Sequence, residues 1–335
     1  MQAKAIKDKA RELGFSNCGI IPAETFTEYR KALDERIEAF PMSEGAYRSL
    51  EGQIEPPEGG KSVIVCIMGY NQYKTPENML DKIGKMYLFD GRLPYTEEHR
   101  AGEALSTYLK TLGMRVLEGG IPDRWAAAKA GVGKFGYNNF TYTEEHGSYL
   151  IVHTWTVDAV LDYDPVCEDT TAKQCSEDCL LCVSACPTKA LCGKFKMNFL
   201  QCVPAIATNT HGIPDRETME QMGEWLYGCD ACQDVCPMNA RKQTNSEDFP
   251  LLAEFAKYTE PAYILAMDEE EYKRVLNPRF WYIGEDGLWL WKCNALRMMI
   301  NGGDAKYNPL IIEACKHEDA RIKKVAEWGR RKLGI

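Results

Sequence analysis

No run of apolar residues in this 335-residue chain reaches the roughly 18–20 that a membrane-spanning helix needs, which excludes helical insertion. Positive charge is not in excess either: 40 Lys and Arg stand against 49 Asp and Glu, giving a net charge of −9 and a pI near 5.3. That balance argues against a protein coated with nucleic acid, because polyanion binding needs a basic surface. It leaves room for a local basic patch. The opening "MQAKAIKDKARELGF" lacks both the apolar stretch and the small-residue cleavage site of a secretory leader. It reads as an amphipathic surface helix, and the expected location is the cytoplasm. In that reducing compartment disulfides are rare.

What the chain does hold is cysteine, 14 in all. Nine of them lie from residue 175 to residue 236, and eight of these are the candidate ligands: Cys175, Cys179, Cys182, Cys186, Cys202, Cys229, Cys232 and Cys236. Clustered thiols at short spacing in a reducing compartment point first to metal. Cys18, Cys66, Cys192, Cys293 and Cys315 sit in apolar contexts and are expected to be small buried hydrophobes.

At this length the chain should divide into more than one domain. Residues 1–165 read as mixed α/β. "KSVIVCIMGY" (61–70) and "SYLIVHTWTVDAVL" (148–161) are strand-like, and "MRVLE" (114–118) is a shorter strand candidate. "HRAGEALSTYLKTLG" (99–113) carries Leu105, Tyr108, Leu109 and Leu112 at helical spacing and stops at Gly113. Strands alternating with helices predict a layered α/β domain. Residues 166–250 are rich in cysteine and proline, as expected where metal replaces an apolar core. From 251 to 335 the pattern is helical. "LWLWKCNALRMMI", "YNPLIIEACK" and "ARIKKVAEWGRRKLGI" are separated by "NGGD" and "HED", a small HEAT-like module of about one and a half repeats. The predicted class is therefore α+β and multidomain.

The first cysteine run is C-x3-C-x2-C-x3-C-P, ending at Cys186–Pro187. The second is C-x2-C-x3-C-P, ending at Cys236–Pro237 and preceded by Cys202. In a two-cluster ferredoxin arrangement three thiolates of one run hold one cube, and the cysteine before proline reaches the other. The spacing assigns Cys175, Cys179, Cys182 and Cys236 to one [4Fe–4S] cluster. Cys186, Cys202, Cys229 and Cys232 go to the second. A zinc site would rather show two C-x2-C knuckles about 15–20 residues apart, without the paired endings. The extra residue in "CSEDC" lengthens one ligand loop; Cys167 is the nearest substitute were Cys175 not a ligand.

"GVGKFG" (131–136) matches the G-x-G-x-x-G of dinucleotide sites, but its context does not. The helical "DRWAAAKA" precedes it where a strand should stand, and "YNNFTY" follows where a helix should open. The glycines read instead as a loop with left-handed positions, or as backbone lying close to a flat cofactor.

Four stretches together carry a resemblance: "ELGFSNCGIIPAE", "DRWAAAKAGVGKFGYNNFTYTEEHGSY", "CLLCVSACPTKAL" and "YGCDACQDVCPMN". The chain resembles the epoxyqueuosine reductase family, relatives of the reductive dehalogenases, over nearly its full length. The resemblance implies a nitroreductase-like α/β corrinoid-binding domain at 1–165, a ferredoxin-like double [4Fe–4S] domain at 166–250 and HEAT-like helices at 251–335. It implies cobalamin beside the two clusters, and electrons from an external ferredoxin or flavodoxin. The implied reaction is reduction of epoxyqueuosine to queuosine in tRNA.

The family motif maps onto Ala130 to Asn138, which implies corrinoid contacts, mostly through backbone, at Gly131, Gly133, Gly136 and Asn138. An epoxide oxygen is a poor leaving group without a proton, so an acid is required. The family carries an acid upstream of a (D/E)-R pair. The pair maps onto Asp123–Arg124, the upstream position falls on Leu117, and Glu118 stands one residue away. Glu118 and Asp123 are therefore the catalytic candidates. Tyr137 replaces the family's Lys or Arg.

Two further readings remain: a diverged reductase of a small organic substrate, and an electron-transfer protein without substrate chemistry of its own. The last helix holds Arg321, Lys323, Lys324, Arg330, Arg331 and Lys332, a candidate contact for tRNA phosphates. His99 and His153 lie in the proposed corrinoid domain, though their spacing marks neither as a cobalt ligand.

Overall fold

The computed structural model describes residues 1–335. Its first layer is a three-stranded antiparallel sheet, ordered β1 (Asn17–Pro22), β2 (Ser62–Gly69) and β5 (Leu150–Val157). The central strand β2 is buried at every position, because both faces of the sheet are covered. Its alternate residues feed two cores. Ile64, Cys66 and Met68 pack with Ile6 and Ala10 of the Gln2–Glu12 helix and Leu105 and Leu109 of the Glu97–Thr111 helix. Val63, Val65 and Ile67 pack with Tyr29 and Leu33 of the Thr27–Ala39 helix and Ala126 and Ala127 of the Asp123–Lys129 helix. A period of two along the strand thus places one helical layer on each side.

The segment "MRVLE" forms no strand. Val116 makes a single bridge to Val157, and Met114 instead fills the core beside Leu109. Among the cysteines outside the two runs, expected to be buried, Cys192 departs from expectation. Cys66 and Cys293 are buried, Cys18 and Cys315 half-buried, and Cys192 is exposed. Cys192 falls in a two-residue-wide hairpin that lifts its side chain into solvent.

Residues 288–335 fold as three helices, Leu288–Gly302, Asn308–Ala314 and Ala320–Leu333. Gly303 ends the first at φ 67° and Gly334 ends the third at φ 68°, left-handed positions that glycine takes without a Cβ penalty. Asp319 caps the third through the Arg321 N–H. Their core is not their own. Trp291 stacks on Tyr227 at 5.3 Å, and the same cluster takes in Tyr70, Leu88 and Phe89 from the first half of the chain. The cores therefore do not follow the chain-order divisions at 165 and 251. No helix is long and apolar enough to cross a membrane.

Arg297 is the pin between the Leu288–Gly302 helix and the loop before Tyr227. It is 2% exposed and donates to the carbonyls of Gly223, at 2.7 Å, and Trp225. Burial draws its guanidinium down to about 10. Arg297→Ala would leave the Trp225 carbonyl without its donor, Gly223 with Asn301 alone, and a cavity in the core. The expected cost is about 3 kcal/mol, read as a lower thermal midpoint with intact cluster absorbance.

Candidate iron–sulfur and cofactor site

Both C-x3-C-P endings share one local geometry. Cys182 lies on the single-turn helix Leu181–Ala185 and Cys232 on Ala231–Asp234. A residue before proline is forced out of helical conformation. Cys186 accordingly turns to φ −65°, ψ 114° and Cys236 to φ −75°, ψ 125°. The chain changes direction there, so the last thiol of each run leaves its helix and reaches the other run.

Cys175, Cys179, Cys182 and Cys236 line one cavity together with Gly136, Tyr137, Asn138 and Tyr142. Burial raises the Cys175 and Cys182 thiols, and Cys236 and Cys179 add to the effect on both. Burial pushes Cys202 up to about 12 and Cys229 and Cys232 higher still, and Cys186 acts on all three. The eight thiols thus gather as two sets of four. Backbone N–H groups of Tyr137, Val183, Val203 and Ala231 point at Cys175, Cys182, Cys202 and Cys229. Such bonds favour thiolate and tune a bound cluster's potential. No three His, Cys, Asp or Glu groups converge as ligands of one ion; a cube takes its thiolates at four separate corners. The extra residue of "CSEDC" is taken up by a turn closed from the Cys179 N–H to the Ser176 carbonyl at 3.0 Å.

One component had no signal in the spacing. Lys85 is buried and its Nζ lies 3.3 Å from Asp230 and 2.8 Å from Asp234. These aspartates alternate with Cys229, Cys232 and Cys236, so Lys85 ties the 84–88 segment to the second run. A polar cavity of about 380 Å3, lined by Thr188, Gln201, Asn209, His211 and Asp215 among others, adjoins the chain at Cys186 and Cys202.

The glycines of "GVGKFG" have separate causes. Gly131 follows the Asp123–Lys129 helix at φ 68°. Gly133 and Gly136 are not left-handed. A Cβ on Gly133 would meet Thr141 Cγ2 at 2.4 Å, and one on Gly136 the Tyr142 ring at 2.5 Å. Both serve the tight hairpin of β3 (Lys134–Phe135) and β4 (Thr141–Tyr142). A helix before the loop and a hairpin after it leave no dinucleotide site.

Asn138 is 4% exposed, and its amide donates to Tyr142 Oη at 2.8 Å and the Cys232 carbonyl at 3.0 Å. Its side chain is committed to the cluster loop, so what it presents outward is backbone. Tyr137 is buried edge-on to Phe195, with Lys194 Nζ 5.0 Å above its ring. Asn139 Nδ2 and Thr141 Oγ1 are buried without partners. A corrinoid is rimmed with amide groups, and unpaired donors on this wall fit such a rim.

Asp123 accepts a 2.7 Å hydrogen bond from Thr154 Oγ1 on β5. Its side chain is reached by solvent but enclosed by protein, and burial holds its carboxyl above the ordinary value against the weaker pull of Thr154 and Arg124. Glu118 lies elsewhere, on an exposed bend whose Gly119 abuts Pro57. His153 points from β5 into the opposite layer, between Phe15 and Trp155, with His99 nearby. Strand alternation thus turns it away from the face that carries Thr154 and Asp123.

This fold and its paired thiol sets define an iron–sulfur oxidoreductase that carries two clusters. Residues 174–239 match the 4Fe-4S double cluster binding domain. An epoxyqueuosine reductase of Leadbetterella byssophila is 28% identical over 264 residues, 74% of this chain and 84% of that protein. One of Vibrio cholerae is 26% identical over 341 residues, 93% of this chain and 85% of that protein. A crystal structure of epoxyqueuosine reductase with a tRNA-Tyr epoxyqueuosine-modified stem loop superposes with a TM-score of 0.76 at 23% identity. It covers 99% of this chain and 90% of that one. The chain is similar to the epoxyqueuosine reductases and shares their fold.

Proposed function

We propose that this protein is a cobalamin- and iron–sulfur-dependent reductase of epoxyqueuosine in tRNA. The observation that carries the reading is the shared wall between the first thiol set and the Gly136–Tyr142 loop. An electron leaving that set arrives beside the loop where the corrinoid is expected. Cys175, Cys179, Cys182 and Cys236 would hold one cube, and Cys186, Cys202, Cys229 and Cys232 the other. Gly131, Gly133, Gly136 and Asn138 would offer backbone to the corrinoid. When bound, cobalamin supplies a low-potential nucleophilic metal able to open an epoxide.

The balance requires two electrons and two protons for each epoxide converted to an alkene and water. A ferredoxin- or flavodoxin-type partner would supply the electrons. Asp123, whose carboxyl the surrounding protein shifts above its ordinary value, would give the first proton to the departing oxygen, while Thr154 fixes the carboxyl's direction.

On the C-terminal helix Arg321 is tied to Asp319 and Trp289, and Lys332 to Glu220. Lys323, Lys324, Arg330 and Arg331 are exposed and would contact tRNA phosphates. A tRNA substrate places the enzyme in the cytoplasm.

Leu117, where the family has its acid, favours a second reading: the same cofactors acting on a small organic substrate. The test is anaerobic incubation of the cluster-loaded protein with cobalamin, a reductant and epoxyqueuosine-containing tRNA, followed by mass spectrometry of the digested nucleosides. Queuosine is the expected product. A cobalamin spectral shift without queuosine would turn the search to small substrates. No shift would leave an electron-transfer protein.

A further inference from the structure

Two arginines from different layers meet at one residue of the cofactor loop. Arg36 of the Thr27–Ala39 helix donates from Nη2 to Asn139 Oδ1 at 2.7 Å. Arg124 of the Asp123–Lys129 helix donates from Nη1 to the Asn139 carbonyl, also at 2.7 Å. Asn139 is held left-handed at φ 66°, a conformation unfavourable to a residue with a Cβ. Its own Nδ2 is buried and has no partner.

Neither guanidinium forms an ion pair with a carboxylate. Burial lowers both, and the charge of Arg36 lowers Arg124 further. Several other arginines are matched, Arg30 with Glu55, Arg92 with Asp90 and Arg115 with Asp158. Arg279 and Arg297 also lack carboxylates, but each lies singly in a core, 6% and 2% exposed, and is spent on carbonyl or phenol oxygens. Arg36 and Arg124 are a pair and remain in reach of solvent. Two like charges held on one residue are unfavourable without an anion between them. Each uses one nitrogen on Asn139 and keeps others free.

We propose that Arg36, Arg124 and the Asn139 amide form a binding site for a phosphodiester. Donors converging from three chain segments suit a tetrahedral oxyanion better than a planar carboxylate, which one guanidinium can match alone. The site adjoins Asp123 on one side and Asn138 on the other. It therefore receives a phosphodiester that belongs to the reacting assembly. Two sources share this chemistry, the nucleotide loop of a corrinoid and the backbone of an RNA substrate. The choice between them rests on the proposed function; the site itself does not.

The test begins with the cluster-loaded protein melted in phosphate and in chloride at matched ionic strength. Phosphate should raise the wild-type midpoint. Arg36→Gln and Arg124→Gln should each abolish the rise while keeping the iron content and the midpoint in chloride. Equal wild-type midpoints in the two buffers, or a rise that survives both substitutions, would overturn the site. Arg→Lys at either position, which keeps charge without the fork, should recover part of the rise.

Titrations with cobalamin, with cobinamide (which lacks the nucleotide loop) and with an anticodon stem-loop RNA then identify the source. About ten- to hundred-fold weaker cobalamin binding by the Gln variants, with cobinamide unchanged, marks the cofactor's phosphodiester. A similar loss for RNA alone marks the substrate's. Unchanged affinity for all three would overturn the proposal. Should the wild type bind no corrinoid, the cofactor reading fails while the phosphate comparison still decides the site.

Discussion

Cys182→Ser should leave about four irons per chain in place of about eight, and so should Cys186→Ser, but with different clusters lost. Cys182 lines the cavity beside Gly136 and Tyr137, whereas Cys186 acts on Cys202, Cys229 and Cys232. The two variants should therefore leave cubes with different reduction potentials and different EPR spectra. Both should lose turnover, since each breaks the electron route. Cys192→Ser, at an exposed thiol, should keep the full iron content. Iron analysis with redox-titrated EPR reads all three. Indistinguishable residual clusters in Cys182→Ser and Cys186→Ser would refute the crossed assignment. An iron loss in Cys167→Ser, with none in Cys175→Ser, would move one ligand to the earlier cysteine.

The second large effect is at the acid. Asp123→Asn should lower kcat by about 10²–10⁴-fold, the usual range for a positioned proton donor, with a small change in KM. Glu118→Gln should stay within about twofold of wild type. The sign of the pH dependence follows from the role. A donor must carry its proton, and burial raises the Asp123 carboxyl above its ordinary value. Activity is then full below that raised value and falls as pH climbs through it. Thr154 Oγ1 donates to the carboxyl and so favours the charged form. Thr154→Val should raise the value further and move the alkaline limb to higher pH. Rates measured across pH on the four proteins decide the matter. An alkaline limb unmoved in Thr154→Val, or a larger loss in Glu118→Gln than in Asp123→Asn, would remove Asp123 from the role.

These two expectations differ in how far the linear chain foretold them. The proposed division of eight cysteines into crossed sets rests on where proline stands. Pro187 and Pro237 force Cys186 and Cys236 out of their short helices, and that constraint is local and legible. The long strands and the major helices were legible for the same reason, since their periodicity is a property of neighbouring residues. "MRVLE" misled because Met114 packs into the helical layer beside Leu109, a choice made by distant partners.

Which of the two carboxylates gains a partner was not legible. Glu118 and Asp123 are five positions apart with the same chemistry, and only the position of β5 brings Thr154 to Asp123 and leaves Glu118 outside. The glycines of "GVGKFG" carried a pattern whose cause lay eight or fewer residues downstream. Thr141 and Tyr142 fold back over Gly133 and Gly136 and require them to be small.

By itself the sequence determined the metal chemistry, the helical C-terminal end and the family likeness, because cysteine spacing, proline position and apolar period are encoded within a few residues. The tertiary structure alone decided which acid meets Thr154, that Lys85 sits among Asp230 and Asp234, and that Arg36 and Arg124 share Asn139. Those are relations between segments about 15 to 150 residues apart. Desolvation and Coulomb energy depend on distance in space, which no local spacing records.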